Sequence, residues 1–528
     1  MTGPVPASST APSVQARARA RGRRRAAVAL ECYRWFVAVT DLLPASFRYG
    51  AMRATERRAL PPPTLPVLVD DPREGDRLYG TPASSTPPAT TSEDALVLGS
   101  TSDEGRLAGP SPGRGAPGLR CALVLRCALV TGRLDSGGVE EVVGALARGL
   151  PHHGISVAVF CTGGGAVERS LRAAGVEVVV TPDVDDLVLA VLAFRPEVVE
   201  LHNAPESVAR RASEAGLAFL PVVHNLEIHR SRKQWRRIDE AWRTAVRTVA
   251  VSACVGEHHL AHLAHADAHR VVVVPNGADV VPGRPPAAHR HRAREMLSGA
   301  VGAPVVTGDV VVLCLARYDA QKNLPGLVAA FDQAVAHLPA LRLVVAGAVA
   351  DPLELRRTEA ARRAGAHPDR VHLLGASDAG LLRAAADVLV LDSFFEGWSI
   401  AASEAAAAGL PLVLSDAGGA RELAARVGDG AVVVANPACA AADVDERAVR
   451  RARRARRQRN AAELADALVR AGRGASRGTA RATPRPVAPA AAAGQVPSAR
   501  QMVEHHAGLV HVAAATVRSV HVVREAVS

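Results

Sequence analysis

Arg317 and Lys322 stand five residues apart, directly after the apolar run 310–316. A planar guanidinium and a mobile ammonium at a strand end can converge on a diphosphate, although the same pair would also suit a solvated loop. A second group, Glu396-Gly397-Trp398-Ser399 followed by Glu404, comes after the run 387–392. Its first carboxylate falls in a loop and its second lies two turns along a helix that begins at Trp398 or Ser399. Both can then face one cleft and accept hydrogen bonds from sugar hydroxyls, while loop amides and the helix N-terminus address phosphate. Glutamates at this spacing are commonly just solvated, but this helix is otherwise alanine-rich and uncharged. Gly137-Gly138 precedes a helical pattern, where it either makes a tight turn or lets backbone approach an anion. Gly418-Gly419 with Glu422 repeats the glycine-then-helix order. G-x-G-x-x-G is absent, which argues against a dinucleotide site.

These residues need elements to hold them. Between 119 and 276, short β-branched runs at 119–130, 157–161, 176–180, 198–202, 220–224, 248–252 and 271–275 alternate with helix-length segments at 139–150, 185–194, 205–215 and 235–247. Strict alternation of strand and helix implies parallel strands with crossover helices, and continuously apolar runs imply a sheet covered on both faces. A Pro/His/Arg-rich segment, 281–294, breaks the pattern. It resumes with runs at 310–316, 341–346, 371–374, 388–391, 411–414 and 431–434 and helices at 324–337, 353–364, 379–385 and 400–408. The fold class is therefore α/β, two Rossmann-like domains facing a central cleft, where ligands bind beyond the carboxyl ends of the strands. The first run contains LRCALV twice, at 119–124 and 125–130. Twelve residues exceed the usual strand, so one copy is expected to protrude as linker.

Of the 528 residues, 48% are hydrophobic, and 63 Lys+Arg against 52 Asp+Glu give a formal charge of +11. Six arginines lie in 17–25 and eight in 447–459; without these fourteen, 49 basic residues face 52 acidic ones. Both blocks read as solvated appendages outside the cleft, with docking to anionic lipid as the alternative. Aromatics make up 3% of the chain and do not interleave with the arginines, so no nucleic-acid partner is expected. Residues 1–118 read as a tail, a helix over about 26–60 and a disordered Pro/Thr/Ser/Gly-rich linker. The most apolar stretch, 26–44, is interrupted by Glu31, Arg34 and Asp41, which argues against a membrane span, and the apolar run 26–30 is too short, with no small-residue cleavage site after it, for an export signal. Seven cysteines without C-x-x-C spacing read as reduced thiols of a cytoplasmic protein.

Five motifs together resemble the family 4 retaining glycosyltransferases of GT-B fold. They are Gly137-Gly138, P-N-G-A-D at 275–279, R-x4-K-N at 317–323, E-G-x6-E-A-x-A-x-G-x-P at 396–411 and G-G-x-x-E at 418–422. The resemblance covers about 119–440 and resumes at 499–510, similar to the family's final helix that crosses back to the N-terminal domain. It implies an acceptor domain at 119–285, a nucleotide-sugar donor domain at 286–475, a linker at 476–495 and the returning helix at 496–528. It also implies a hexose transferred from a nucleoside diphosphate sugar to an unidentified acceptor, a glycan, a lipid-linked species or a small molecule. In that scheme Arg317 and Lys322 hold the diphosphate, Glu404 the ribose, and Glu396 the transferred sugar, with Gly397, Trp398 and Ser399 lining the donor site. Gly137 and Gly138 approach a phosphate through backbone, and His224 matches a strand-end histidine pointing toward the sugar. The nucleotide sugar is then a co-substrate, and no cofactor or metal is needed. Ala316 departs from the family's usual glycine, and Trp398 replaces a smaller residue, which would narrow the sugar pocket.

Other readings remain. A GT-B-like epimerase or phosphorylase would use the same parts, and a degenerate scaffold would bind without turnover. His258, His262, His265 and His269 recur at spacings that would line one helical face, which could hold zinc. Asp183-Val184-Asp185 and Asp443-Val444-Asp445 match the D-x-D of metal-dependent transferases but read better as helix starts. Peripheral contact with the inner face of an anionic membrane is expected if the arginine blocks serve localisation.

Overall fold

Valine and leucine runs sealed on both faces by helices form two separate sheets in this computed structural model, which describes residues 14–40, 64–70, 124–135, 137–264, 268–480 and 496–527. The first sheet contains β1 (Leu125–Arg133), β2 (Ile155–Gly163), β3 (Glu177–Val180), β4 (Val198–His202), β5 (Ala218–Val223), β6 (Thr248–Ala250) and β7 (Val271–Val273). Its order is β3-β2-β1-β4-β5-β6-β7, with every pairing parallel. The second contains β8 (Val310–Leu315), β9 (Leu341–Ala346), β10 (Val371–Leu374), β11 (Val388–Leu391), β12 (Leu412–Ser415) and β13 (Ala431–Val434). It runs β10-β9-β8-β11-β12-β13, again all parallel. Each order reverses once, between β1 and β4 and between β8 and β11. Loops there leave in opposite directions and open a crevice. Gly137-Gly138 follows β1, Arg317 and Lys322 follow β8, and Glu396 follows β11.

The second LRCALV copy is the one in β1; of the first, only Val124 is among the described residues, and it is exposed. Segment 281–294 does not simply break the pattern. A helix, Ala287–Val301, starts just after Pro286, and its Arg290 and Arg294 both pair with buried Asp387, at 2.9 Å for Arg290. Histidine and arginine hide its periodicity because its inward face is partly ionic.

The 1–118 region also departs from expectation. A helix spans Val14–Thr40 instead of beginning near 26, since alanine and arginine are good helix formers. Residues 64–70, read as linker, lie against the loop after β10: Gly375 and Asp378 donate backbone N–H to the Pro66 and Leu68 carbonyls at 2.8 and 2.7 Å. Leu68 is buried in the second domain's core. The rest of the expected helix and linker lies outside the described residues.

At the other end, the helix Ala461–Ala480 runs past 475 into the expected linker. The helix Ala499–Val527 returns to the first sheet, where Met502, Val503, Ala507 and Val510 join that sheet's core. Gly277 makes the entry possible, because a Cβ there would lie 2.2 Å from the Ser498 carbonyl oxygen. Among the described residues no helix is long and apolar enough to cross a membrane. Six of the seven cysteines are among the described residues and are unpaired there; Cys127, Cys161 and Cys314 are buried, whereas Cys32 is exposed.

Leu68→Ala should destabilise the protein by about 2 to 3 kcal/mol in urea unfolding, whereas the exposed neighbour Val69→Ala should change little. Equal effects would show that 64–70 is not part of the core.

Candidate active site

The loop after β8 is built by its own polar side chains. Asp319 accepts from the Gln321 amide at 3.0 Å, and Asn323 adopts a left-handed conformation (φ 49°) from which a helix starts. Asn323 donates to buried Asp392 at the end of β11, at 2.7 Å, and Asn460 donates to the other oxygen at 2.7 Å. Burial pushes the Asp392 carboxyl up to about 7 against those two donors. The asparagine of the K-N motif thus ties two strand ends together. Lys322 Nζ then reaches Glu396 Oε1 at 2.5 Å, Gln321 donates to Glu396 Oε2 at 3.1 Å, and Ser393 Oγ donates at 2.7 Å.

The Glu396 loop is pressed directly onto the first domain. A Cβ on Gly397 would lie 1.9 Å from the His224 carbonyl oxygen, so only glycine fits. Beneath it Gly418, at φ +54°, leaves room for the Glu396 and Gly397 carbonyls, and Gly419 donates to the Gly397 carbonyl at 2.8 Å. Glu422 accepts backbone N–H from Ala253 and Cys254 at the start of the first domain's helix Ala253–Leu260, the Ala253 amide at 2.9 Å. G-G-x-x-E is thus an interdomain clasp.

His224 is buried, with Nε2 2.9 Å from His202 Nδ1; His202 Nε2 is 3.2 Å from Glu200, which also meets His506 of the returning helix at 3.1 Å. Burial, reinforced by His202 and His506, drives the His224 pKa well below its usual value, so the ring is neutral. Burial would raise Glu200, but His506 and His202 outweigh it and hold the carboxyl at about 2. No hydrogen-bond partner meets His224 Nδ1 among the described residues. The side chain lines a cavity of about 380 Å³ at the ends of β4 and β5, together with Asn203, Glu206, Glu227, Arg230, Gln234 and Arg237. Glu200 and His202 went unnoticed in sequence, although two polar residues at i and i+2 in an otherwise apolar strand share one face.

Arg317 is half exposed and 3.3 Å from Asp319. It lines a second cavity, of about 230 Å³, between the domains, with Asn225 and His229 on one side and Gln321, Phe395, Glu446, Arg450 and Arg453 on the other. Six of the eight arginines in 447–459 are exposed, as expected, but Arg450 and Arg453 are built into the domain. Arg453 and Arg357 pair with buried Glu354, Arg357 at 2.7 Å, and the Arg453 carbonyl accepts from Arg357 at 2.8 Å. Burial would raise Glu354, but the two arginines hold it at about 2.

The remaining candidates are distributed differently. Glu404 pairs with Arg383 at 2.6 Å; burial raises its pKa, Arg383 opposes, and Glu141 and Asp279 of the first domain add to the rise. Gly138 faces Ile400, at the start of the second-domain helix that carries Glu404, 3.5 Å from where a Cβ would stand, while a Cβ on Gly137 would meet the flexible Glu140. Trp398 turns inward: its indole donates to Ser403 at 2.8 Å and its ring lies against Gly419. Ser399 caps the helix Ile400–Ala407. The structure thus joins Lys322, Glu396, Gly397 and His224, sets Arg317 in the adjoining cavity, and holds Glu404 on Arg383. The helix Ala253–Leu260 ends too early to align four histidines. His258 and His262 pack on Trp235, His265 is outside the described residues, and no metal-binding cluster occurs among those described. Asp183 and Asp445 cap helices.

Two doubly wound parallel sheets, joined where their carboxyl ends carry a cation, a carboxylate and an imidazole, define the GT-B class. The model of glycosyl transferases group 1 matches residues 303–464 and that of glycosyltransferase family 4 matches 136–281, together more than half of the chain. The chain belongs to the family 4 glycosyltransferases. A D-inositol 3-phosphate glycosyltransferase of Xylanimonas cellulosilytica is 34% identical over 190 residues, which span 35% of this chain and 44% of that relative. The fold is shared with a glycosyltransferase from Rickettsia africae (TM-score 0.54, 15% identity, 74% of this chain and 98% of that one). It is also shared with Anabaena HepE in complex with UDP-glucose (TM-score 0.51, 18% identity, 67% and 99%).

Gly397→Ala should force the strand ends apart and lower kcat/KM by about a hundredfold, since displacement of about 1 Å costs that much; steady-state kinetics on folded protein checks it. A second expectation concerns acid. Burial lowers His258 to about 4 and His259 to about 3. Below pH about 6.5 the unfolded chain takes up protons that the folded one refuses, so these groups make stability fall as pH drops from there toward 4. Removing one of them with His259→Gln should reduce the slope by about 1.4 kcal/mol per pH unit, read from urea unfolding at several pH values.

Proposed function

We propose that the chain transfers a hexosyl group from a nucleoside diphosphate sugar to a hydroxyl acceptor with retention of anomeric configuration. The observation that carries this reading is the Lys322–Glu396 pair at the reversal of the second sheet, roofed by the His224 backbone of the first. Family membership supports it, as do the Anabaena HepE structures, which hold UDP and UDP-glucose.

In this scheme a donor phosphate replaces Glu396 as the partner of Lys322, and the released carboxylate accepts from a sugar hydroxyl. As the anomeric C–O bond breaks, the electron pair passes to the leaving diphosphate, where Lys322 and Arg317 stabilise the charge. The acceptor oxygen bonds the anomeric carbon on the same face and passes its proton to the departing phosphate oxygen. Glu404 takes the ribose hydroxyls, and Ser399 presents the helix N-terminus to the donor. Neutral His224 accepts a hydroxyl at Nδ1. The sugar nucleotide is consumed as co-substrate, and this route calls for neither cofactor nor metal.

The acceptor enters beside His224. Arg230 and Arg237, near Glu227 and Glu206 at 3.5 and 3.6 Å, suit a molecule that combines hydroxyls with an anionic group. The Xylanimonas relative is named for such an acceptor. We read this activity as cytoplasmic, a reading supported by the free cysteines among the described residues.

UDP, GDP and ADP, tried singly, should include one that raises the unfolding temperature; at a hundredfold its Kd a ligand stabilises by about 2.7 kcal/mol. With that donor, Lys322→Ala and Glu404→Ala should each lose about 10²- to 10³-fold in kcat. Folded variants with full activity would overturn the site assignment, and a labelled donor separates transfer from epimerisation or phosphorolysis.

A further inference from the structure

The helix Val14–Thr40 carries apolar side chains on two opposite faces. Ala26, Leu30 and Val37 turn toward the second domain, where the helix packs on the helices Pro352–Ala364 and Glu446–Arg454. Half a turn round, Val28, Cys32, Trp35, Phe36 and Val39 are exposed, Trp35 at 70% and Val28 at 65%. Steps of four, three and four residues put Val28, Cys32, Trp35 and Val39 in one line, with Phe36 beside it. Extended toward the N-terminus, the line meets Arg25 and Arg21, and Arg24 lies alongside; all three are exposed. Packing against the domain explains the first face and leaves the second unexplained.

We propose that this second face docks the protein on an anionic lipid surface, with the helix lying in the plane of the interface. Val28, Trp35, Phe36 and Val39 enter the acyl boundary, and Arg21, Arg24 and Arg25 meet the headgroup phosphates. Charge complementarity favours this occupant, since the apolar line is continuous with three exposed arginines that have no acidic partner among the described residues, in a chain of formal charge +11. Tryptophan suits a boundary that is apolar at one end and wet at the other. A protein partner is less suited, because one helical line of this width offers far less than the roughly 800 Å² per side of a stable interface.

The helix is fixed to the domain that it would anchor. Glu31 binds Arg34 at 2.7 Å and Arg456 at 3.1 Å. The helix Glu446–Arg454 beneath it contributes Glu446, Val449, Arg450 and Arg453 to the Arg317 cavity, so the docking face lies one helix layer from that cavity. This inference goes beyond the transferase reading and does not depend on which sugar or acceptor the site takes.

The test is flotation of the full chain with vesicles of phosphatidylcholine alone and of equal parts phosphatidylcholine and phosphatidylglycerol. The protein should float with the mixed vesicles and not with the neutral ones, and Trp35, the most exposed tryptophan, should shift its emission to the blue. Trp35→Ser with Phe36→Ser, and Arg21→Glu with Arg24→Glu and Arg25→Glu, should each lower the partition coefficient by about a hundredfold or more. These side chains are exposed, so circular dichroism and the nucleotide-induced thermal shift should not change, which keeps this result separate from the donor site. Equal flotation of variants and parent, or no flotation of the parent, would overturn the proposal. So would a dimeric parent that Phe36→Ser makes monomeric by light scattering, which would assign the face to a second copy.

Discussion

The approach of Gly397 to the His224 carbonyl is the contact on which the rest of the site depends. Backbone meets backbone there with no side chain between, so the carboxyl ends of the two sheets have one separation and one register. Every other junction is consistent with it. Gly418 clears space for the carbonyls of the same loop, Gly419 hydrogen-bonds it, and Glu422 caps a helix across the gap. Glycine recurs at these points because each would otherwise place a carbon inside a neighbouring group. The Lys322–Glu396 pair and the His224 ring are oriented by that seam.

The positive charge of the chain has two different meanings. From the block 447–459, Arg453 joins Arg357 on buried Glu354 and thereby fixes the wall that Arg317 and Arg450 share. A buried ion pair of this kind adds little net stability, but losing one partner costs about 3 to 5 kcal/mol because the other charge is stranded. Around 17–25, by contrast, the described arginines from Arg21 onward are bare to solvent. Clustering alone does not separate the two cases; what separates them is an acidic partner about a hundred residues away.

Legibility followed the physics of each part. β9, β10, β11 and β13 coincide with the apolar runs at 341–346, 371–374, 388–391 and 431–434, because each is a run of valine, leucine and alanine interrupted only by Arg342 and His372. The helix Ala287–Val301 was hidden by its ionic inner face. At the site, motif residues at strand ends were visible as types and spacings, whereas their partners were not. Nothing near Glu404 announces Arg383, and nothing near Trp398 indicates that its ring turns inward onto Gly419. The Glu200–His202–His224 relay required knowing that β4 and β5 are neighbours, which is a property of sheet order.

The strap formed by residues 64–70 bears on how the chain can be divided. β10 is an edge strand, and the amides of Gly375 and Asp378 just beyond it are satisfied by the strap. A fragment beginning at 119 would contain every family motif and both sheets, yet it would leave those donors and the Leu68 pocket bare beside an open sheet edge. Such an edge is a template for pairing with another chain. The shortest sequence that looks complete by its motifs would therefore be prone to self-association, and residues 64–70 act as part of the fold's own protection against aggregation.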